Sequence, residues 1–170
     1  MAAAVNVGTK SIVFNNICGI ELVSSAEFLP APNGSLQSFY NTHIKESDAK
    51  PAYFGKASVS FTQEGKKTIA GKVYQQKLSL RFPNGDLLTA ERIAEYEKAK
   101  MVFIKLSGGT VLLFGRNDYF QNAALDVSSR NTQNMTEITY ACESIFPIGQ
   151  TNGSFDHLLP EDLPVNFYNL

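Results

Sequence analysis

Few side chains in this sequence have the type and spacing that catalysis or metal binding requires. The two histidines, His43 and His157, lie in segments predicted to be a long loop and a C-terminal arm. A histidine-based metal site or triad would therefore have to recruit an irregular segment, and we interpret both as surface or cap residues. Cys18 and Cys142 are far apart and form no Cys-x-x-Cys or Cys/His motif. The alternatives are one disulfide between them and two reduced, buried thiols, and we expect the thiols.

The acidic residues do not form a recognisable site either. Asp156, Glu161 and Asp162 lack the alternate spacing and the glycine of an EF-hand loop, so solvated carboxylates are expected. Asp118 follows a strand, where catalytic acids often lie, but Arg116 close by makes a structural ion pair an equal interpretation. The chain has no G-x-S-x-G, P-loop, G-x-G-x-x-G or H-E-x-x-H motif. We expect no enzymatic activity, no cofactor and no metal.

The overall charge argues against a nucleic-acid or membrane protein. The net charge of the 170 residues is -1, with 44% hydrophobic and 18% charged residues, which describes one ordered domain poor in charge. Lys66, Lys67, Lys72 and Lys77 make a weak basic patch, which we interpret as lysines that protect a strand edge. No apolar run approaches the roughly 20 residues that span a bilayer.

Periodicity predicts a protein built mainly of strands. Residues 11–23 are rich in Ile and Val and predict a first strand, whereas 30–52 contain three prolines and predict a long loop used for contact. Residues 53–63 alternate and run into 64–67, a predicted turn. In 73–82 the alternation directs a mostly apolar set of side chains to the core: Tyr74, Gln76, Leu78, Leu80 and Phe82.

The second half of the chain adds a short helix and more strands. Thr89 is the expected N-cap of the helix, with Glu91 in its first turn. Residues 124–127 predict a short strand, followed by a polar loop. Residues 135–146 predict the last clear strand, with these side chains on one face: Ile138, Tyr140, Cys142 and Phe146.

Residues 100–116 predict a β-hairpin that is apolar on both faces. A two-residue turn at Gly108-Gly109 would place Ile104 opposite Leu113 on one face, which we assign to the core. The same register would place Phe103 opposite Phe114 on the other face. That second face is apolar in its middle and charged at its ends, so something has to cover it.

The C-terminal residues raise the same question. They contain too many apolar side chains for a tail left in water, and we expect them to lie on their own domain or on a neighbour. Within one chain, the helix could cover the second hairpin face and the arm could wrap its own sheet. Alternatively, neighbouring subunits of a ring provide the cover through heterologous contacts. The predicted subunit interface comprises Met101, Phe103, Leu112, Phe114, Phe155, Leu158, Leu159, Leu163, Phe167 and Tyr168.

These elements predict a mainly β fold, a two-layer antiparallel β-sandwich or flattened barrel with one short helix between strands. The predicted domain organisation is an N-terminal extension at 1–10, a β-sandwich domain at 11–146 that includes the loop at 30–52, and an extended C-terminal arm at 147–170.

A strand ladder, a short helix and a two-faced hairpin in "LSLRFPNGDLLTAERIAEYEKAKMVFIKLSGGTVLLFGRNDY" resemble the β-sandwich structural proteins of tailed-phage necks and tails, including tail-tube-like and connector-ring subunits. The run from "VLLFGRNDYFQNAALDV" to "TEITYACESIFPI" is similar to small proteins of phages of Bacteroidetes, the crAss-like group included. The resemblance covers 53–146. It implies a non-enzymatic virion subunit, made in the host cytoplasm, that forms a homo-oligomeric ring with other neck or tail proteins. DNA would be at most passing cargo, and no membrane is involved.

A monomeric carbohydrate- or protein-binding β-sandwich is the alternative. Such modules use aromatic platforms because sugar C–H faces stack on rings, and the chain has seven tyrosines and twelve phenylalanines but no tryptophan.

Overall fold

The structure, a computed structural model, describes residues 16–24, 49–55, 58–85, 87–118 and 120–151. These ranges contain nine strands and a helix: β1 (Ile17–Val23), β2 (Lys50–Pro51), β3 (Ser60–Thr68), β4 (Gly71–Pro83), α1 (Thr89–Glu97), β5 (Met101–Leu106), β6 (Val111–Phe114), β7 (Asp126–Asn131), β8 (Met135–Ser144) and β9 (Gly149–Gln150). In the part of the chain so described, no helix is long and apolar enough to cross a membrane.

The strands form two antiparallel sheets, which confirms the predicted fold class. One sheet has five strands in the order β2-β1-β5-β6-β9, and the other has four in the order β3-β4-β8-β7. Neither sheet closes on itself, so the architecture is a sandwich and not a barrel. Two short edge strands, β2 and β9, come from ranges predicted to be loop and arm, and β7 extends into the predicted polar loop.

The core lies between the sheets and follows from the alternation of β4 and β8. Leu78, Leu80 and Phe82 of β4 are fully buried, and so are Ile138 and Tyr140 of β8. They pack against a set from the other sheet: Ile20, Leu22, Val102, Ile104 and Phe114. The predicted inward face of β4 is therefore confirmed, and burial of these side chains supplies the main driving force for folding.

Helix α1 closes one part of this core through Tyr96. The Tyr96 ring is 2% exposed and stacks on Phe82, with 5.4 Å between ring centroids. Its hydroxyl donates a hydrogen bond to the Tyr53 carbonyl, and the Tyr140 hydroxyl donates one to the Tyr96 carbonyl at 2.9 Å. Burial raises the pKa of Tyr96 to about 12, so the hydroxyl stays a donor. The predicted N-cap is wrong by one residue, since the cap position is Leu88 and no side chain caps it.

The turn between β5 and β6 differs from the prediction and changes the register. Residues 107–109 form a three-residue loop, in which the Leu106 amide donates to the Thr110 carbonyl at 2.8 Å. Gly109 has φ of 82°, a left-handed conformation that glycine adopts without strain and that such three-residue hairpin loops require.

One additional loop residue exchanges the two faces of β6. Val102 lies opposite Phe114 and Ile104 lies opposite Leu112, so the predicted register is wrong by one residue. Phe114 is consequently a core residue, with its ring edge-to-face to Phe61 at 6.1 Å. Leu112 packs against the same core, whereas Met101 and Phe103 lie on the outer face of the five-stranded sheet.

That outer face is also buried, although it does not belong to the core between the sheets. Val23 and Met101 are 0% exposed, and Phe103 and Leu113 are each 2% exposed, in the single chain. Glu21 lies opposite Phe103 on this face, and burial raises its pKa although Lys105 lowers it in part. Its Oε2 atom is buried and accepts no hydrogen bond.

We expect Phe114→Ala to lower the free energy of unfolding by about 3–5 kcal/mol, because it leaves a cavity in the core. Urea unfolding followed by circular dichroism measures the change. Phe120→Ala is the matched control, because Phe120 is 77% exposed and should shift stability by no more than about 0.5 kcal/mol. Equal effects of the two substitutions would contradict the core assignment.

We expect Glu21→Gln to stabilise the protein at neutral pH. The raised pKa means that the folded state holds this proton more tightly than the unfolded state, so the wild type loses stability as the pH rises above about 4.3, the ordinary glutamate value. The difference in melting temperature between variant and wild type should be small in acid and grow toward pH 7. A constant difference across this range would contradict the argument.

Candidate interaction site: a projecting hairpin and the groove beside it

The strands β3 and β4 continue past the end of their neighbour β8. The last residue pair that β8 supports is Tyr74 with Ser144. Beyond it, residues 66–73 pair only with each other within the described chain, from Lys66 opposite Val73 to Thr68 opposite Gly71. We call residues 66–73 the finger. At about 3.4 Å per residue it extends roughly 10 Å beyond the sandwich.

The tip of the finger is tight and carries an exposed apolar side chain. The Thr68 hydroxyl donates a hydrogen bond to the Gly71 carbonyl at 2.8 Å, and Gly71 has φ of 129°, which favours glycine. Ile69 lies between them at 110% relative exposure, with no surrounding cover. A rigid turn that holds a large aliphatic side chain in water is suited to contact with a partner.

The sides of the finger are basic. Lys67 lies directly opposite Lys72, an arrangement of like charges that destabilises a strand pair. Lys72 places its Nζ atom 5.1 Å from the centroid of the Tyr74 ring. Gly65 leaves room for the Lys72 side chain in this position, because a Cβ atom at residue 65 would be 3.0 Å from Cε of Lys72. The two ion pairs recorded among the described residues, Lys50–Glu95 and Arg81–Glu137, both lie elsewhere.

A groove of about 850 Å³ crosses the solvent face of the four-stranded sheet at the base of the finger. Three consecutive residues from each of three strands line it, at 62–64, 75–77 and 141–143. The central residue of each triplet points toward the core, so the outer two provide the walls. Asp126 extends one wall onto β7, opposite Ala141.

The groove is acidic, with a small apolar patch. Its charged side chains are Glu64, Asp126 and Glu143 against Lys77, and all four are exposed. Gln75 Nε2 donates a hydrogen bond to Glu143 Oε1 at 3.0 Å and holds that carboxylate on the wall. The apolar part comes from three alanines: Ala123, Ala124 and Ala141.

Cys142 and Asp118, which the sequence analysis considered for chemistry, form hydrogen bonds with neighbouring residues. Cys142 donates from Sγ to Gln76 Oε1 at 3.5 Å, and burial raises the pKa of its thiol to about 11. Asp118 accepts hydrogen bonds from the Phe120 amide at 2.8 Å and from Asn122 Nδ2 at 3.1 Å, as a turn residue does. Within the described ranges no group of three or more His, Cys, Asp or Glu side chains could hold a metal ion.

The predicted interface residues are not brought together. Met101 and Phe103 lie on the outer face of the five-stranded sheet, whereas Leu112 and Phe114 face the core. The other six lie outside the described residues: Phe155, Leu158, Leu159, Leu163, Phe167 and Tyr168. Both histidines also lie outside them. The assignment of these residues to an interface stays a prediction.

Sequence reasoning missed the finger because it predicted a turn at 64–67. Glycine followed by two lysines is typical of a turn, yet these residues continue β3, and the turn is at Ile69-Ala70. The alternation of 73–82, if extended backward, would have pointed to Gly71 as the start of β4.

Comparison of the chain with protein families, curated proteins and solved structures gives no match in any of the three. The geometry of the finger and the groove is therefore the basis for a functional argument.

The two cysteines should differ sharply in reactivity. Both are free thiols, but Cys18 is exposed, contrary to the expectation of two buried thiols, whereas Cys142 is partly buried with a raised pKa. A disulfide reagent at pH 8 should label one thiol per chain rapidly and the second only after unfolding, because thiolate is the reactive form. Cys18→Ser should remove the fast phase. Equally fast labelling of both would contradict the placement of Cys142.

Proposed function

We propose that this protein is a non-enzymatic structural subunit of a tailed-phage virion, a component of a neck or tail ring that assembles with copies of itself. The observation that carries the proposal is the finger, a rigid hairpin that projects from the sandwich with Ile69 in solvent. Among the described residues its strands pair only with each other, so it contributes little to the fold and its tip is available to a neighbour. The phage assignment rests on the resemblance of residues 53–146.

Each copy would then function by fixing the position of its neighbours, and it would catalyse no reaction. The sandwich supplies a rigid body, and the finger fixes the rotation between neighbours, so that heterologous contacts close into a ring. Other neck or tail proteins would bind the ring faces, and DNA would pass as cargo. The subunit would be made in the host cytoplasm and end in the virion.

The groove is the observation that favours the alternative function, a monomeric binding module. Its lining among the described residues, however, includes no aromatic ring on which a sugar could stack. Of the large exposed rings in the described ranges, Tyr53 has Arg92 over its face at 4.3 Å, and Phe120 lies outside the groove lining. Sugar binding by ring stacking is thus the less favoured function.

A shortened finger tests the proposal. Deleting Lys66, Lys67, Lys72 and Val73 removes two cross-strand pairs, keeps the 68–71 turn and preserves the alternation of both strands. We expect light scattering across a concentration range to show oligomers for the wild type and monomers for the variant. The melting temperature should change little, because the removed residues make no core contact.

Phe120→Ser is the control for an unrelated surface change, because Phe120 is exposed outside the finger and the groove, and it should leave the oligomer intact. A wild type that stays monomeric to its solubility limit would contradict self-assembly. An unchanged oligomer in the shortened variant would show that the finger does not mediate it.

A further inference from the structure

The finger and the groove are complementary in charge. The finger carries three lysines and no acidic side chain, whereas the groove carries three carboxylates against one ammonium. The lysines are unfavourably close to each other, with Lys67 opposite Lys72, and a carboxylate partner would relieve that repulsion.

The two surfaces also match in their apolar parts. The finger presents one large aliphatic side chain, Ile69, at its tip. The groove presents three alanines, Ala123, Ala124 and Ala141, whose small side chains leave space for a branched one. An apolar anchor seated among small residues, with charges around it, is the arrangement of a specific protein contact.

The finger cannot occupy the groove of its own chain. Glu64 lies two residues before the finger and Gln75 two residues after it, and both are on the groove wall. A hairpin would have to reverse by half a turn to reach a groove at its own base. The matching groove is therefore available only on another molecule.

We propose that the groove formed by Glu64, Lys77, Ala141, Asp126 and Glu143 receives the finger of a second copy of this chain. This inference rests on the proposed function and names the contact through which the copies assemble. Lys67 and Lys72 face the carboxylates, and Ile69 seats on the alanines. Each copy has one finger and one groove, so the contact passes from copy to copy.

Complementary charge reversal tests the contact. One variant carries Lys67→Glu and Lys72→Glu in the finger, and the other carries Asp126→Lys and Glu143→Lys in the groove. Each alone places like charges in every contact, and we expect the association constant to fall by at least about tenfold. An equimolar mixture should assemble again, because the acidic finger meets the basic groove and the unaltered finger meets the unaltered groove.

A matched control reverses Lys98 and Lys100 to Glu, at exposed positions beyond α1, and should assemble as the wild type does. Circular dichroism and melting temperature establish that every variant is folded. Raising the salt concentration should weaken the wild-type assembly, since exposed charges are screened.

The outcomes separate this inference from the proposed function. Recovery of assembly in the mixture supports the finger-in-groove contact. A wild type that assembles, with reversed variants that assemble equally well or with a mixture that does not recover, overturns the contact and leaves self-assembly standing. A wild type that never assembles overturns both.

Discussion

The pairing of β4 with β3 on one side and β8 on the other is the constraint on which the rest of the structure depends. β4 is 13 residues long, and its alternation sends Leu78, Leu80 and Phe82 into the core. Gln75 and Lys77, on the opposite face of the same strand, line the groove. Because β4 is longer than its pairing with β8, its first residues and the last residues of β3 leave the sandwich as the finger. Core, groove and finger are thus consequences of one strand.

The hairpin of β5 and β6 is apolar on both faces, and the described residues give each face a different environment. One face packs on the four-stranded sheet, and the other is buried within the same chain, where Met101 is 0% exposed. Glu21 is a polar side chain in this second apolar environment, with its pKa raised by burial.

Two local errors in the sequence-based prediction have large structural effects, and both concern turns. Moving the hairpin loop from two residues to three exchanges the faces of β6, so Phe114 becomes a core residue. Moving the preceding turn from 64–67 to Ile69-Ala70 converts a surface turn into the finger. Turn geometry depends on single backbone conformations, such as φ of 82° at Gly109, and several glycine-containing segments are compatible with each alternation.

The sequence by itself determined the fold class, the inward face of β4 and β8, and the helix with Glu91 in its first turn, because periodicity and the distribution of charge are local properties. Only the tertiary structure decided the strand order, the register, the burial of the outer face and the meeting of Glu64, Asp126 and Glu143 at one groove. Those features depend on contacts between residues far apart in the chain, for which no local pattern specifies the partner.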